Sequence, residues 1–281
     1  MAKSRSVSKS RKRSPGKRIG QSARRARRKR RIRIAKIARF LVSRTAPFRT
    51  ARAAIVACIA LGLFAAANLI YQVARKPAEL FFPVSGVLAK SPAETWRSYG
   101  SLFERYSTSA VSATLLAALA QAEGSGDPVA HTYWRWRFSW HPFSIYGPAS
   151  SAVGMYQITD GAFADARPYC IRDHRVAEPA SCWFTSFYTR VLPNHAIELT
   201  AVYLDRNVSQ ILARHGGTAN SQQKQDVAAL VHLCGSGPAS AYAARGFRSA
   251  EGERCGDHDA AAYLKRVNAM KRNFARLADQ P

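Results

Sequence analysis

"LLAALAQAEGSGDPVA", residues 115–130, sets one acid, Glu123, at the end of a run otherwise built of apolar and small residues. Val111, Leu115, Leu116 and Leu119 recur at helical spacing, and Ser107, Thr108 and Ser109 offer N-cap oxygens ahead of them. Gly124 and Gly126 follow the acid almost at once and predict the helix end. A carboxylate there faces the unfavourable end of the helix macrodipole, an arrangement that a merely structural helix avoids and a proton donor can use. The bland reading is an exposed charge closing a helix.

Further helices follow in the C-terminal half. One starts near Asn194, carries Ile197, Val202, Leu204, Val208, Ile211 and Leu212, and stops at Gly216 and Gly217. Another runs through "QQKQDVAALVHLC" and a last through "DAAAYLKRVNAMKRNFARLA". Strand-like alternation is weak throughout, so the fold class is mainly α, with long loops around residues 133–151.

Between Glu123 and the second helix lies "HTYWRWRFSWHPFSIYGP", residues 131–148, with Tyr133, Trp134, Trp136, Phe138, Trp140, Phe143 and Tyr146 beside Arg135 and Arg137. Aromatic faces can stack on sugar rings and Arg can meet carboxylates bidentately, which makes Tyr133 and Trp134 candidate substrate contacts. Large aromatics are usually well buried, so more than half of these rings are expected to fill the core. The next stretch is "SSAVGMYQITDGAFADAR".

The order of Glu123, then Gly154-Met155-Tyr156-Gln157 before a short helix, resembles the lysozyme-like lytic transglycosylases of the soluble type. That family carries a catalytic Glu closing a helix in "Q-x-E-S", followed downstream by "G-L-M-Q"; here the strings are "QAEGSGDP" and "GMYQ". Its late "ET-x-x-Y" motif is echoed by "HDAAAYLKRV", which makes Tyr263 the pocket tyrosine. The match covers roughly residues 109–274. Gly124 stands where the family usually has Ser, and the family's "A-Y-N-A-G" segment is represented by "HLCGSGP", residues 232–238. The resemblance implies a lysozyme-like domain over residues 106–281 that cleaves the β-1,4 bond between N-acetylmuramic acid and N-acetylglucosamine in peptidoglycan and closes a 1,6-anhydro ring. Glu123 is then the catalytic residue, and Met155, Tyr156, Gln157 and Tyr263 bind substrate. Two alternatives stay open: a two-carboxylate hydrolase using Asp127, Asp160 or Asp165, and a binding protein that keeps the scaffold without catalysis. Asp127 before Pro128 otherwise reads as a turn cap, and Asp160 as a carboxylate at a helix N-terminus.

Charge is distributed unevenly. Of the 43 Lys and Arg, 21 fall in the first 52 residues, where none of the 17 Asp and Glu occurs. That tail, rich in Ser and Arg and poor in aromatics, buries too little surface to offset its ordering entropy and is expected to be disordered or only partly helical. At residues 53–71 the composition switches to "AAIVACIALGLFAAANLIY", uncharged and long enough for a bilayer. The resulting expectation is a basic cytoplasmic tail at 1–52, a single transmembrane helix at 53–73, a stalk at 74–105 and an exported domain beyond, in the inner membrane with the domain periplasmic. A buried core helix and a cleaved signal peptide are the rival readings of the apolar run. Anionic lipid is the partner expected for the tail; nucleic acid has no reader motif here and is not assigned.

Apart from Cys58 in the apolar run, Cys170, Cys182, Cys234 and Cys255 form an even set in a compartment that permits disulfides. Neighbour pairing, Cys170 with Cys182 and Cys234 with Cys255, is the connectivity expected. His131, His141, His195 and His232 lack the short paired spacing of a metal site, and His232 reads as a satisfied core histidine. No metal or nucleotide cofactor is assigned.

Overall fold

The computed structural model of the protein describes residues 47–215 and 218–280. The basic tail through residue 46 therefore lies outside the described residues. The described chain divides into two units at Ala67 and Asn68. Helix α1, Pro47–Arg75, runs through both, and its segment Thr50–Arg75 has a mean hydropathy of 2.4 with few buried positions. By length and composition it can cross a membrane, as the apolar run predicted.

The second unit is mainly helical. Its centre is α3, Ala113–Gly124, whose residues Leu115 through Ala120 are fully buried on every side. A helix apolar all round is stable only when neighbours cover each face. Those neighbours are α2, Pro92–Arg105, and α8, Ala260–Ala278; the flanking bundle comprises α5, Pro193–His215, α6, Ser221–Cys234, and α7, Ser236–Ala244. Phe103, Ile197, Leu204, Val227, Val231, Val267 and Phe274 complete the core. Short antiparallel pairs decorate this body: β1, Trp134–Trp136, with β2, Tyr146–Pro148; β3, Cys170–Arg172, with β4, Arg175–Ala177; and β5, Arg254–Cys255, with β6, His258–Asp259. A seven-residue helix, α4, Asp160–Ala166, is capped by Thr159, which accepts from the Ala162 N–H at 3.3 Å.

The helices expected near Asn194, in "QQKQDVAALVHLC" and at the C-terminus are α5, α6 and α8, and both disulfides join the expected neighbours, Cys170 to Cys182 and Cys234 to Cys255. The stretch read as a stalk differs. Residues 77–84 form a 3-10 helix, and α2 belongs to the core, with Thr95, Tyr99 and Phe103 buried. Ser91 begins α2 with a capping box: its hydroxyl accepts from the Glu94 N–H while the Glu94 carboxylate accepts from the Ser91 N–H at 2.8 Å. Trp96, Tyr99, Phe103 and Tyr106 then repeat at intervals of three and four, an apolar stripe short enough to be hidden by Pro92 and Gly100. The loops expected around residues 133–151 instead contain the β1–β2 hairpin.

Candidate functional site

Ser112 opens α3, accepting from the Leu115 N–H at 3.2 Å. The helix closes through Ser125 and Gly126, both left-handed at φ 51° and 65°. Glu123 therefore sits on the last turn, with its side chain 21 % exposed. Gln121, two residues earlier, accepts from the Thr95 hydroxyl at 2.8 Å and donates to the Lys90 carbonyl at 2.9 Å. The Q-x-E pair thus divides its work: Gln121 fixes α3 to the segment beginning α2, and Glu123 is left to meet side chains from α6 and α8.

Two side chains from distant helices meet that carboxylate. Tyr263, on the first turn of α8, donates its hydroxyl to Glu123 Oε1 at 2.7 Å. His232, on the last turn of α6, brings Nε2 to 3.9 Å from the same oxygen. Burial drives the Tyr263 phenol well above its ordinary range, reinforced by the Glu123 charge and by the hydrogen bond itself. It is a neutral donor at any physiological pH. Burial likewise depresses the His232 imidazole below its ordinary value, with the Glu123 charge opposing the shift. His232 also lines a cavity of about 220 Å³ with Gln157, Leu199, Tyr203, Val231 and Gly235. The histidine read as core packing is a neighbour of the candidate acid, a placement with no signature in local spacing.

The "GMYQ" segment packs directly behind α3. A Cβ on Gly124 would lie 2.8 Å from the Met155 Cα and carbonyl oxygen, so this contact requires glycine at the position. Gly154, at φ 82°, has the Arg190 carbonyl where a Cβ would be. Met155 and Tyr156 are fully buried and offer no side-chain surface to a ligand, whereas Gln157 lines the cavity. Gln157 is left-handed at φ 49°, and its amide donates to the Gly154 and Ala130 carbonyls at 2.9 and 3.2 Å.

The other acids are occupied. Asp127 is buried, accepting from the Gly86 N–H at 2.6 Å and the Val129 N–H at 2.8 Å, which is the turn-capping role expected of it. Asp160 pairs with Arg190 at 3.0 Å and Lys76 at 3.4 Å. Asp165 is exposed. Glu198 is buried and accepts from the Ile171 N–H at 2.8 Å and the Tyr188 hydroxyl at 2.7 Å. Among the described residues no cluster of His, Cys, Asp and Glu is arranged to hold a metal ion.

The aromatic segment goes elsewhere. Trp134 is partly buried against Phe82 and Tyr146 and donates its indole N–H to Glu79 at 3.2 Å. Tyr133, Trp136, Phe138 and Trp140 are exposed, so the expectation that most of these rings fill the core is overturned. The hairpin projects from a body whose core is already closed by α2, α3 and α8. None of its residues lines the cavity beside His232.

No protein-family model matches this chain, and no curated protein matches it.

Proposed function

We propose that the protein is a membrane-anchored peptidoglycan lytic transglycosylase with Glu123 as its single catalytic acid and base. The observation that carries the reading is the Tyr263 hydroxyl 2.7 Å from Glu123 Oε1 at the open end of a buried helix, joining the two motifs furthest apart in the resemblance. In this mechanism Glu123 gives its proton to the glycosidic oxygen as the C1–O bond breaks. The N-acetyl group of the muramic acid stabilises the developing oxocarbenium charge. The Glu123 carboxylate, retaining the Tyr263 hydrogen bond, then removes the proton from the same sugar's C6 hydroxyl, and that oxygen closes on C1. Glu123 ends protonated as it began, and no water is consumed.

Occupation of Asp127 by two backbone N–H groups and of Asp160 by Arg190 supports one acid over a two-carboxylate hydrolase. We read α1 as the membrane span, with the basic tail cytoplasmic on anionic lipid and the second unit periplasmic, where its two disulfides are compatible with the redox environment.

The test is digestion of purified peptidoglycan by the full-length protein in detergent, with Glu123→Gln in parallel and mass spectrometry of the released ends. Anhydro ends absent with the variant are expected. Reducing ends would assign a hydrolase, and glycan binding without turnover by wild type would assign a binding protein; either result overturns the proposal.

A further inference from the structure

The 134–148 hairpin is the largest feature left unused by the chemistry around Glu123. Trp134, Arg135 and Trp136 pair with Pro148, Gly147 and Tyr146, and the turn between the strands carries Phe138 and Trp140 at 112 % and 101 % exposure. These two rings are as open as in an unfolded chain. Through the tilted Phe82–Trp134 ring contact the hairpin meets the 3-10 helix, whose Leu80, Phe81 and Val84 are also exposed. Soluble monomers rarely leave a contiguous apolar surface of this kind uncovered.

What covers it is indicated by where the hairpin is fastened. Asn68 donates to the Tyr146 carbonyl at 2.8 Å, Gln72 donates to the Phe143 carbonyl at 2.8 Å, and Tyr71 stacks on Phe143 with centroids 5.0 Å apart. Asn68 and Gln72 are buried, so their amides exchange solvent for hairpin carbonyls. Both belong to the last turns of α1, and Asn68 lies within the apolar run. Counting back from Arg75, which ends the helix, Asn68 lies about 10 Å deeper along it at 1.5 Å per residue. The hairpin therefore crosses α1 between the level of its terminal cation and a level about 10 Å further in, the depth at which Trp and Tyr concentrate in membranes.

Charge agrees. No acid occurs between Asp127 and Asp160, while Arg135 and Arg137 flank Trp136. Arg75, Lys76, Arg137 and Ser144 line a single open cleft of about 300 Å³ beside the hairpin, in which Asp160 is the sole acid and is already paired with Arg190 and Lys76. Such a cleft suits an anionic lipid headgroup.

We propose that the hairpin and the neighbouring 3-10 helix form a second membrane contact, an aromatic foot seated at the headgroup–acyl boundary of the leaflet from which α1 emerges. This rests on α1 spanning the membrane. The foot holds rings about 5–10 Å into the boundary region, as interfacial aromatic segments do, and its arginines meet anionic headgroups.

The test uses the full chain with Cys58→Ser to remove the free thiol. A single cysteine is introduced by Phe138→Cys, or by Glu251→Cys at an exposed control site, and labelled with an environment-sensitive fluorophore. Each protein is reconstituted in vesicles of phosphatidylethanolamine and phosphatidylglycerol, washed at alkaline pH, and read with plain and acyl-brominated lipids. The expected result is blue-shifted emission at 138 that is lost with brominated chains, and an unaffected label at 251. A label at 138 that ignores bromine in protein that survives the wash overturns the foot while leaving the span intact. The same label shifting only when soluble glycan strands are added assigns the hairpin to substrate and overturns it as well. Protein stripped by the wash removes the spanning reading and the foot with it.

Discussion

Replacing Tyr263 by Phe isolates the contribution of one hydrogen bond to the proposed chemistry. The ring is 2 % exposed, so the Phe variant keeps its packing and loses only the hydroxyl 2.7 Å from Glu123 Oε1. In the proposed mechanism the step starts from the acid form of Glu123, to which a neutral hydrogen bond contributes about 0.5–1.5 kcal/mol. As the proton moves to the leaving oxygen the partner becomes a carboxylate, and the bond strengthens to about 1.5–3 kcal/mol. Only the difference, roughly 1–1.5 kcal/mol, acts on the barrier. At 1.36 kcal/mol per tenfold this corresponds to roughly a 5- to 12-fold fall in kcat, with KM little changed. Water can reach the partly exposed Glu123 and replace some of the lost donation, which favours the lower end. The assay is initial-rate release of anhydro-muropeptides at several substrate concentrations, with a thermal melt to verify folding. A kcat within twofold of wild type, or a loss carried wholly by KM, would refute the assignment of Tyr263 as the donor that supports charge on Glu123.

Other consequences are open to measurement. Gly124→Ser is expected to destabilise by about 1–3 kcal/mol because the new Cβ meets the Met155 backbone; thermal denaturation reads it. Because the His232 imidazole is depressed in the folded state, its contribution is present above the unfolded value of 6.5 and is lost as pH falls from there through the folded value. His232→Gln should flatten that acid-side decline in melting temperature, with His195, shifted in the same direction, retaining part of the slope. Replacing Cys234 and Cys255 together by Ser releases a cross-link between residues 21 apart and should lower stability by about 3 kcal/mol in denaturant titration.

The legible parts of the molecule were those with sustained periodicity. Helices α3, α5, α6 and α8 follow from apolar spacing and their stops, and Glu123 and Tyr263 emerged as a pair because motif order survives in sequence even when contact does not. Helix α2 escaped notice because its stripe of Trp96, Tyr99 and Phe103 is interrupted by Gly100 and begins beside Pro92. His232 was hidden for a different reason: it reaches Glu123 on α3 from α6, far later in the chain, and no local pattern encodes that approach. The aromatic segment misled because residue type predicts average burial, whereas here the core was already filled by α2, α3 and α8.

The folding of residues 77–105 also determines reach. A flexible tether of about 30 residues would let a domain wander over roughly 30 Å from its attachment point. Here the chain from the last turns of α1 to Glu123 is tied down step by step: Lys76 to Asp160, Glu79 to Trp134, Gly86 to Asp127, and Lys90 to Gln121. On the proposed function, Glu123 is held by these contacts at a set distance from the last turns of α1 rather than swinging on a tether. On that reading, glycan strands beyond this reach must come to the carboxylate rather than be searched for by it.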